Sequence, residues 1–151
     1  MNFRIILSLL FIMMSLASCK TNQKMFDPEN TQEEYVAFGT GGGFTGRVSK
    51  YFLTKKGDIY TKDGDTMSKI GSTSKTMVAQ IFSNYQNTKL SGLNLNEPGN
   101  KYYFVEMNLA DHKNNIKWGM NPLSDKTIET YHAILMNLVK KLNTQNNQFK
   151  L

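Results

Sequence analysis

From residue 35 onward, apolar positions recur with two periods, and the shorter period predicts five β-strands. Residues 35–38, 48–54 and 58–62 are β-rich runs separated by glycine-containing turns, as in antiparallel hairpins. Apolar and polar side chains alternate over residues 101–109, and residues 116–118 form a short fifth run. Within the fourth run we expect one alternating set to face the core: Tyr103, Val105, Met107 and Leu109.

The longer period predicts two helices. The apolar side chains of the first helix share one face: Met77, Val78, Ile81, Phe82 and Tyr85. The second helix covers about residues 125–142, follows Ser124 as a suitable N-cap, and carries an apolar stripe. The element order is then βββαββα. We expect an α+β domain over residues 35–142, with two helices packed on one face of an antiparallel sheet of about five strands.

A short export signal precedes this domain. Residues 1–18 contain one basic residue, Arg4, and an apolar run over residues 5–16, which is shorter than the roughly 20 residues that a transmembrane helix needs. The leader ends in small residues that run into the cysteine of Leu16-Ala17-Ser18-Cys19. This tetrapeptide resembles the lipobox of bacterial lipoproteins. An ordinary secretory signal with an incidental cysteine is the alternative.

The resemblance implies that Cys19 carries a membrane anchor. In bacterial lipoproteins the cysteine thiol receives a diacylglycerol, the leader is removed and the new amino terminus is acylated. Lys20 follows, rather than the aspartate that favours the inner membrane in enterobacterial lipoproteins, and the acidic cluster that marks surface export in some Bacteroidota is missing. We therefore expect a cell-envelope protein on the outer membrane, facing the periplasm. Residues 19–34 would form a flexible tether and residues 143–151 a polar tail.

The composition excludes several classes of site. The chain has 151 residues, of which 40% are hydrophobic and 20% charged, as in a globular protein. Its formal net charge of +6 falls to +5 without the leader, and the basic residues are spread out, so we expect no nucleic-acid-binding face. One cysteine excludes an intramolecular disulfide and Cys-based zinc or iron–sulfur sites. With only two histidines as well, we expect no metal and no other cofactor.

The most conspicuous motif is a glycine run over residues 39–46. It contains G-x-G-x-x-G, but strand-like residues follow where a dinucleotide site needs a helix. Kinase and Walker phosphate loops are excluded because their accompanying motifs are missing. Two interpretations remain: a wide hairpin turn or bulge with positive φ, or a loop that binds a peptide, glycan or carboxylate. The candidate binding residues are Gly41, Gly42, Gly43, Phe44 and Arg47.

Candidate chemistry elsewhere lies near the last predicted hairpin. Glu106 is on the fourth strand and Asp111-His112 is in the following turn, where a solvated polar turn is the simpler interpretation. Trp118 is a candidate stacking platform for a sugar or peptide, although a place in the core is the simpler interpretation of a lone tryptophan on a short strand. His132 on the last helix is expected to be half-buried at the edge of the apolar stripe.

The domain after the leader resembles small uncharacterised lipoprotein domains of Bacteroidota. These share a glycine-rich hairpin near the start and a tryptophan strand before the final helix. The resemblance implies no activity and no catalytic residue. We expect a non-catalytic envelope module that binds a protein or glycan partner. A small envelope hydrolase using Glu106, Asp111 and His112 is the alternative, and the ligand and oligomeric state stay open.

Overall fold

The computed structural model describes residues 25–148, which form a seven-stranded sheet covered on one face by two helices. In chain order the strands are β1 (Tyr35–Gly42), β2 (Ser49–Thr54), β3 (Asp58–Asp63), β4 (Thr66–Ser72), β5 (Asn96–Glu97), β6 (Lys101–Asn108) and β7 (Lys113–Gly119). Their order across the sheet is β4-β3-β2-β1-β6-β7-β5, so β1 lies at the centre. The α+β class is therefore confirmed. The predicted leader and Cys19 lie outside the described residues.

Helices α1 (Lys75–Asn87) and α2 (Thr127–Gln148) bury their apolar stripes on the same face of the sheet. Each begins near a side-chain oxygen that accepts a hydrogen bond from a helix N–H. Ser74 Oγ accepts from Met77 (3.2 Å), and Asp125 Oδ1 accepts from Thr127 (2.8 Å). The side chains that are fully buried between sheet and helices include Phe38, Leu53, Ile59, Tyr85, Ile128 and Leu135. The helical stripes read from the sequence are thus the faces that build the core.

The prediction of about five antiparallel strands was wrong, because the described sheet has seven strands and is mixed. Strand β4 was missed because a register shift between Ile59 and Tyr60 of β3 interrupts its regular pairing, and its own alternation is weak. Strand β5 was missed because it has two residues and runs parallel to β7. Strands β4 and β5 are defined by their hydrogen bonds to a neighbouring strand, and the local sequence of neither one predicts a strand.

Two predicted elements end later than expected. Strand β1 continues into the glycine run as far as Gly42, which lies opposite Lys101 of β6. Helix α2 continues to Gln148, into the predicted polar tail. Near its end, Asn146 Nδ2 donates a hydrogen bond to Ile70 O of the edge strand β4 (3.1 Å). Pairing partners far away in the sequence therefore extend both elements.

The face of the sheet opposite the helices carries a second aromatic cluster, centred on Phe26. Its ring centroid lies 5.4, 5.6 and 5.1 Å from those of Tyr35, Phe52 and Tyr60, and the side chain is buried. Residues 25–34, which the sequence analysis assigned to a tether, are thus packed against the sheet at this point. Burial of a phenylalanine side chain stabilises the folded state by about 1.5–3 kcal/mol, and a tether free in solvent would lack this stabilisation.

Replacing Phe26 by alanine is expected to lower the free energy of unfolding by about 3 kcal/mol, because three aromatic rings lose their common neighbour. Urea unfolding of the purified chain measures the change. Met25→Ala is the control, since Met25 is 65% exposed; its effect should stay within about 0.5 kcal/mol. Equal small effects of the two substitutions would show that the packing of Phe26 does not stabilise the domain.

Strand β6 buries side chains on both of its faces. Val105 and Met107 face the helices, as the alternation predicted. Phe104, from the other set, is buried as well, beneath Lys50, whose Nζ lies 5.6 Å from the ring centroid. The ring fits because Gly39 on β1 has no side chain: a Cβ there would lie 3.1 Å from Phe104 Cζ.

Candidate functional site

The first half of the glycine run is strand, and close packing accounts for it. Gly41 and Gly42 belong to β1. A Cβ on Gly41 would lie 2.5 Å from the Tyr102 side chain, and a Cβ on Gly42 would lie 2.1 Å from the backbone O of Asn100. The absence of side chains at these two positions lets β6 and the residue before it approach β1. These two candidate binding residues therefore have a packing role in the fold.

Residues 43–48 connect β1 to β2, and hydrogen bonds hold this loop at two points. The Gly43 N–H donates to Asn100 O (2.7 Å), and the Gly46 N–H donates to Gly43 O (3.1 Å). Both glycines have positive φ, 75° and 62°, and a Cβ on either would meet nothing within 4 Å. Backbone conformation, rather than crowding, thus favours glycine at these positions.

Three side chains of this loop form an apolar and basic surface. Phe44 is fully exposed, Val48 is 46% exposed, and Arg47 is exposed. We call these three residues the hairpin tip. Lys101, opposite Gly42 in the β1–β6 register, adds a second exposed cation nearby. Aromatic side chains, phenylalanine among them, and arginine are enriched at protein–protein interfaces.

A cavity of about 290 Å³ lies between strands β6 and β7 and the first turns of α2. Its lining includes Tyr103, Trp118, Met120, Lys126, Glu129 and His132. Trp118 is only 2% exposed, and its ring is stacked on Tyr103 with centroids 5.7 Å apart. The candidate stacking residue is therefore a core side chain that forms part of a cavity wall, and it is not an open platform.

His132 connects this cavity to the central strand. Its Nε2 lies 3.0 Å from Gly39 O. Because a carbonyl oxygen can only accept, Nε2 carries the proton and Nδ1 keeps a free lone pair. Burial lowers the pKa of His132, and the hydrogen bond to Gly39 opposes this only in part. The imidazole is therefore neutral at pH 7.

Sequence reasoning missed this cavity. It placed His132 half-buried at a stripe edge, whereas the side chain is 7% exposed, and it assigned no role to Lys126 or Glu129. Glu129 and His132 are spaced three apart on α2, so they share one side of the helix, and Lys126 lies just before its first turn. This spacing is the signal that the sequence contained. Nothing local indicated that Tyr103 and Trp118 would face them across the layer.

The predicted acid–base residues do not form a joint site in the described part of the chain. Glu106 lies on the sheet face away from the helices, where Lys50 Nζ bonds its Oε2 (2.5 Å). Asp111 and His112 lie in the β6–β7 turn, where His112 O accepts a hydrogen bond from Leu109 N–H (2.8 Å). Over residues 25–148, no described hydrogen bond or ion pair joins Glu106 to either turn residue. The hydrolase interpretation thus has no supporting contact.

No group of three or more His, Cys, Asp or Glu side chains between residues 25 and 148 is arranged to hold a metal ion. None of the helices in that range is long and apolar enough to cross a membrane. No protein-family model matches the chain, and no curated protein matches it.

Proposed function

We propose that this chain is a lipid-anchored module of the cell envelope that binds a protein partner through the hairpin tip and catalyses no reaction. The observation that carries the proposal is the fully exposed ring of Phe44 at the end of a loop held by backbone hydrogen bonds. The lipobox-like sequence before Cys19 supports the anchor. Acyl chains on this cysteine would hold the domain at the membrane.

Two backbone hydrogen bonds hold the loop that carries Phe44. The hydrogen bond from Gly43 to Asn100 attaches its start to the segment before β6, and the bond from Gly46 back to Gly43 closes the turn. A loop that is already held in one conformation loses less conformational entropy on binding than a flexible loop does. The ring of Phe44 is thus presented at low cost for insertion into an apolar pocket.

The charges around the ring define the chemistry of the partner. Arg47 and Lys101 are exposed near Phe44. Neither side chain takes part in a described salt bridge among residues 25–148. A complementary surface would place carboxylates around the pocket that receives the ring. We therefore infer a protein partner with an apolar pocket rimmed by acidic side chains.

The position of the hairpin tip relative to the predicted anchor supports a partner rather than a lipid surface. Phe26 packs against Tyr35 at the start of β1, whereas the tip follows Gly42 at the other end of this eight-residue strand, about 25 Å away. Cys19 precedes Met25 by six positions, a reach of about 20 Å. The tip is thus far from the anchored end of the domain.

Photo-cross-linking in the full-length chain tests the proposal directly. A photoreactive phenylalanine analogue at position 44 should give a reproducible protein adduct in intact bacterial cells that produce the full-length chain. The same analogue at Asp63, the exposed last residue of β3, is the matched control and should give none. An adduct with lipid alone would contradict the proposed class of partner.

Binding to the purified partner then measures the contribution of each side chain. Phe44→Ala is expected to weaken binding about 30-fold or more, and Arg47→Ala about tenfold with a weaker dependence on salt. Both variants should keep the Tm of the parent, because neither side chain is buried. Lys140→Ala, exposed on α2, is the control. Unchanged affinity of the Phe44→Ala variant would refute the role of the tip.

A further inference from the structure

The cavity beside Trp118 contains an acceptor that the fold does not use. His132 is only 7% exposed and lines the cavity, and its one described hydrogen bond uses Nε2. The lone pair on Nδ1 is therefore available to a ligand that donates an O–H or N–H. A neutral, buried imidazole selects its ligand by hydrogen bonding and not by charge.

The mouth of the cavity is polar but electrically balanced. Lys126 Nζ lies 3.0 Å from Glu129 Oε2, and Glu129 Oε1 accepts the Leu123 N–H at 3.0 Å. These two contacts lower the pKa of Glu129, with the Leu123 hydrogen bond as the larger cause, so the carboxylate stays ionised at neutral pH. The ion pair leaves no net charge to select an anion or a cation. It does offer N–H donors and carboxylate acceptors to a ligand with hydroxyl groups.

The walls and the size restrict the ligand further. Tyr103 is half-buried and supplies the accessible aromatic surface, while the 2%-exposed Trp118 is stacked on it. Trp118 and His132 meet edge to face with centroids 5.4 Å apart. A volume of about 290 Å³ lies just below the range of about 300–1,000 Å³ that is usual for ligand pockets. Pockets of this kind, with aromatic walls and a few polar groups, are typical of small-molecule sites.

We propose that the cavity formed by Tyr103, Trp118, His132 and the Lys126–Glu129 pair binds a neutral, hydroxyl-rich molecule of monosaccharide size. A ligand hydroxyl donates to His132 Nδ1, further hydroxyls exchange hydrogen bonds with the ion pair at the mouth, and the C–H groups lie against the aromatic wall. This site is separate from the hairpin tip and does not rest on the function proposed for it.

Trp118 provides the readout, because it is the only tryptophan in the chain. The full-length protein is titrated with glucose, galactose and N-acetylglucosamine, with acetate and ethylammonium as charged controls, while tryptophan fluorescence is recorded. We expect a saturable change with at least one sugar, with a Kd of about 1 mM, and none with the charged solutes. A flat response to all three sugars up to about 100 mM would overturn the proposal, as would saturation by a charged solute alone.

Variants locate the bound sugar. His132→Gln keeps an amide N–H for Gly39 O but moves the acceptor, and Lys126→Met removes a half-exposed rim donor without touching the core. Each is expected to weaken sugar binding about fivefold to tenfold. Lys140→Met, exposed further along α2, is the matched control and should bind as the parent does. Should His132→Gln fail to fold, Lys126→Met decides alone, and unchanged sugar affinity in that variant would place the sugar elsewhere.

Discussion

In cells that produce the full-length chain, Cys19→Ala is expected to abolish incorporation of a labelled fatty acid and to move the protein from the detergent phase to the aqueous phase. The reason is the size of the anchor. Each buried CH₂ of an acyl chain contributes about 0.8 kcal/mol, so several chains hold a protein on a membrane almost irreversibly. The measurement is metabolic labelling with an alkyne fatty acid, followed by detergent phase separation and detection of the protein.

Lys20→Ala is the matched control, since it changes the adjacent residue and leaves the thiol. It should label and partition as the parent does. If the parent chain takes up no fatty acid, or if Cys19→Ala labels as strongly as the parent, the lipoprotein assignment is wrong. In that case Cys19 is an incidental residue of an ordinary export signal. The hairpin-tip interaction can still be measured on the released domain, so the two results are distinguishable.

Gly39→Ala is expected to destabilise the domain by about 3 kcal/mol and to lower its Tm by about 10 °C. A Cβ at this position would lie 1.9 Å from the backbone O of Ser49 and 3.1 Å from the ring of Phe104. Backbone atoms of a paired strand cannot move aside as a flexible side chain does, so the β1–β2 pairing at the centre of the sheet must distort. Thermal and urea unfolding followed by circular dichroism measure the effect.

Gly92→Ala is the control for this substitution, because a Cβ on Gly92 would meet nothing within 4 Å and its φ is not positive. Its effect on the free energy of unfolding should stay within about 1 kcal/mol. If Gly39→Ala is as stable as Gly92→Ala, the tight approach of β2 to β1 is not a constraint on the fold. The glycine run would then need an explanation other than packing.

The parts of the fold that the sequence predicted are those with a strong local period. Helix α1 was predicted from one apolar face, and the buried residues of that face include Val78, Ile81 and Tyr85. Likewise Val105 and Met107 face the core as the alternation in β6 indicated. Spacings of 3.6 and 2 residues are visible without knowledge of any other part of the chain. Strand β4 has no such regularity, because an irregular pairing with β3 decides which way its side chains point.

The candidate sites divide in the same way. The sequence by itself determined that a glycine-rich hairpin carries Phe44 and Arg47 at its turn, because glycine, chain reversal and exposure are properties of a few adjacent residues. Only the tertiary structure decided that Phe26 packs on the sheet, that Trp118 is in the core, and that the Nε2 of His132 is bound to Gly39. The Phe26–Phe52 and His132–Gly39 contacts join residues 26 and 93 positions apart, so their energies depend on how distant segments meet and leave no local trace in the sequence.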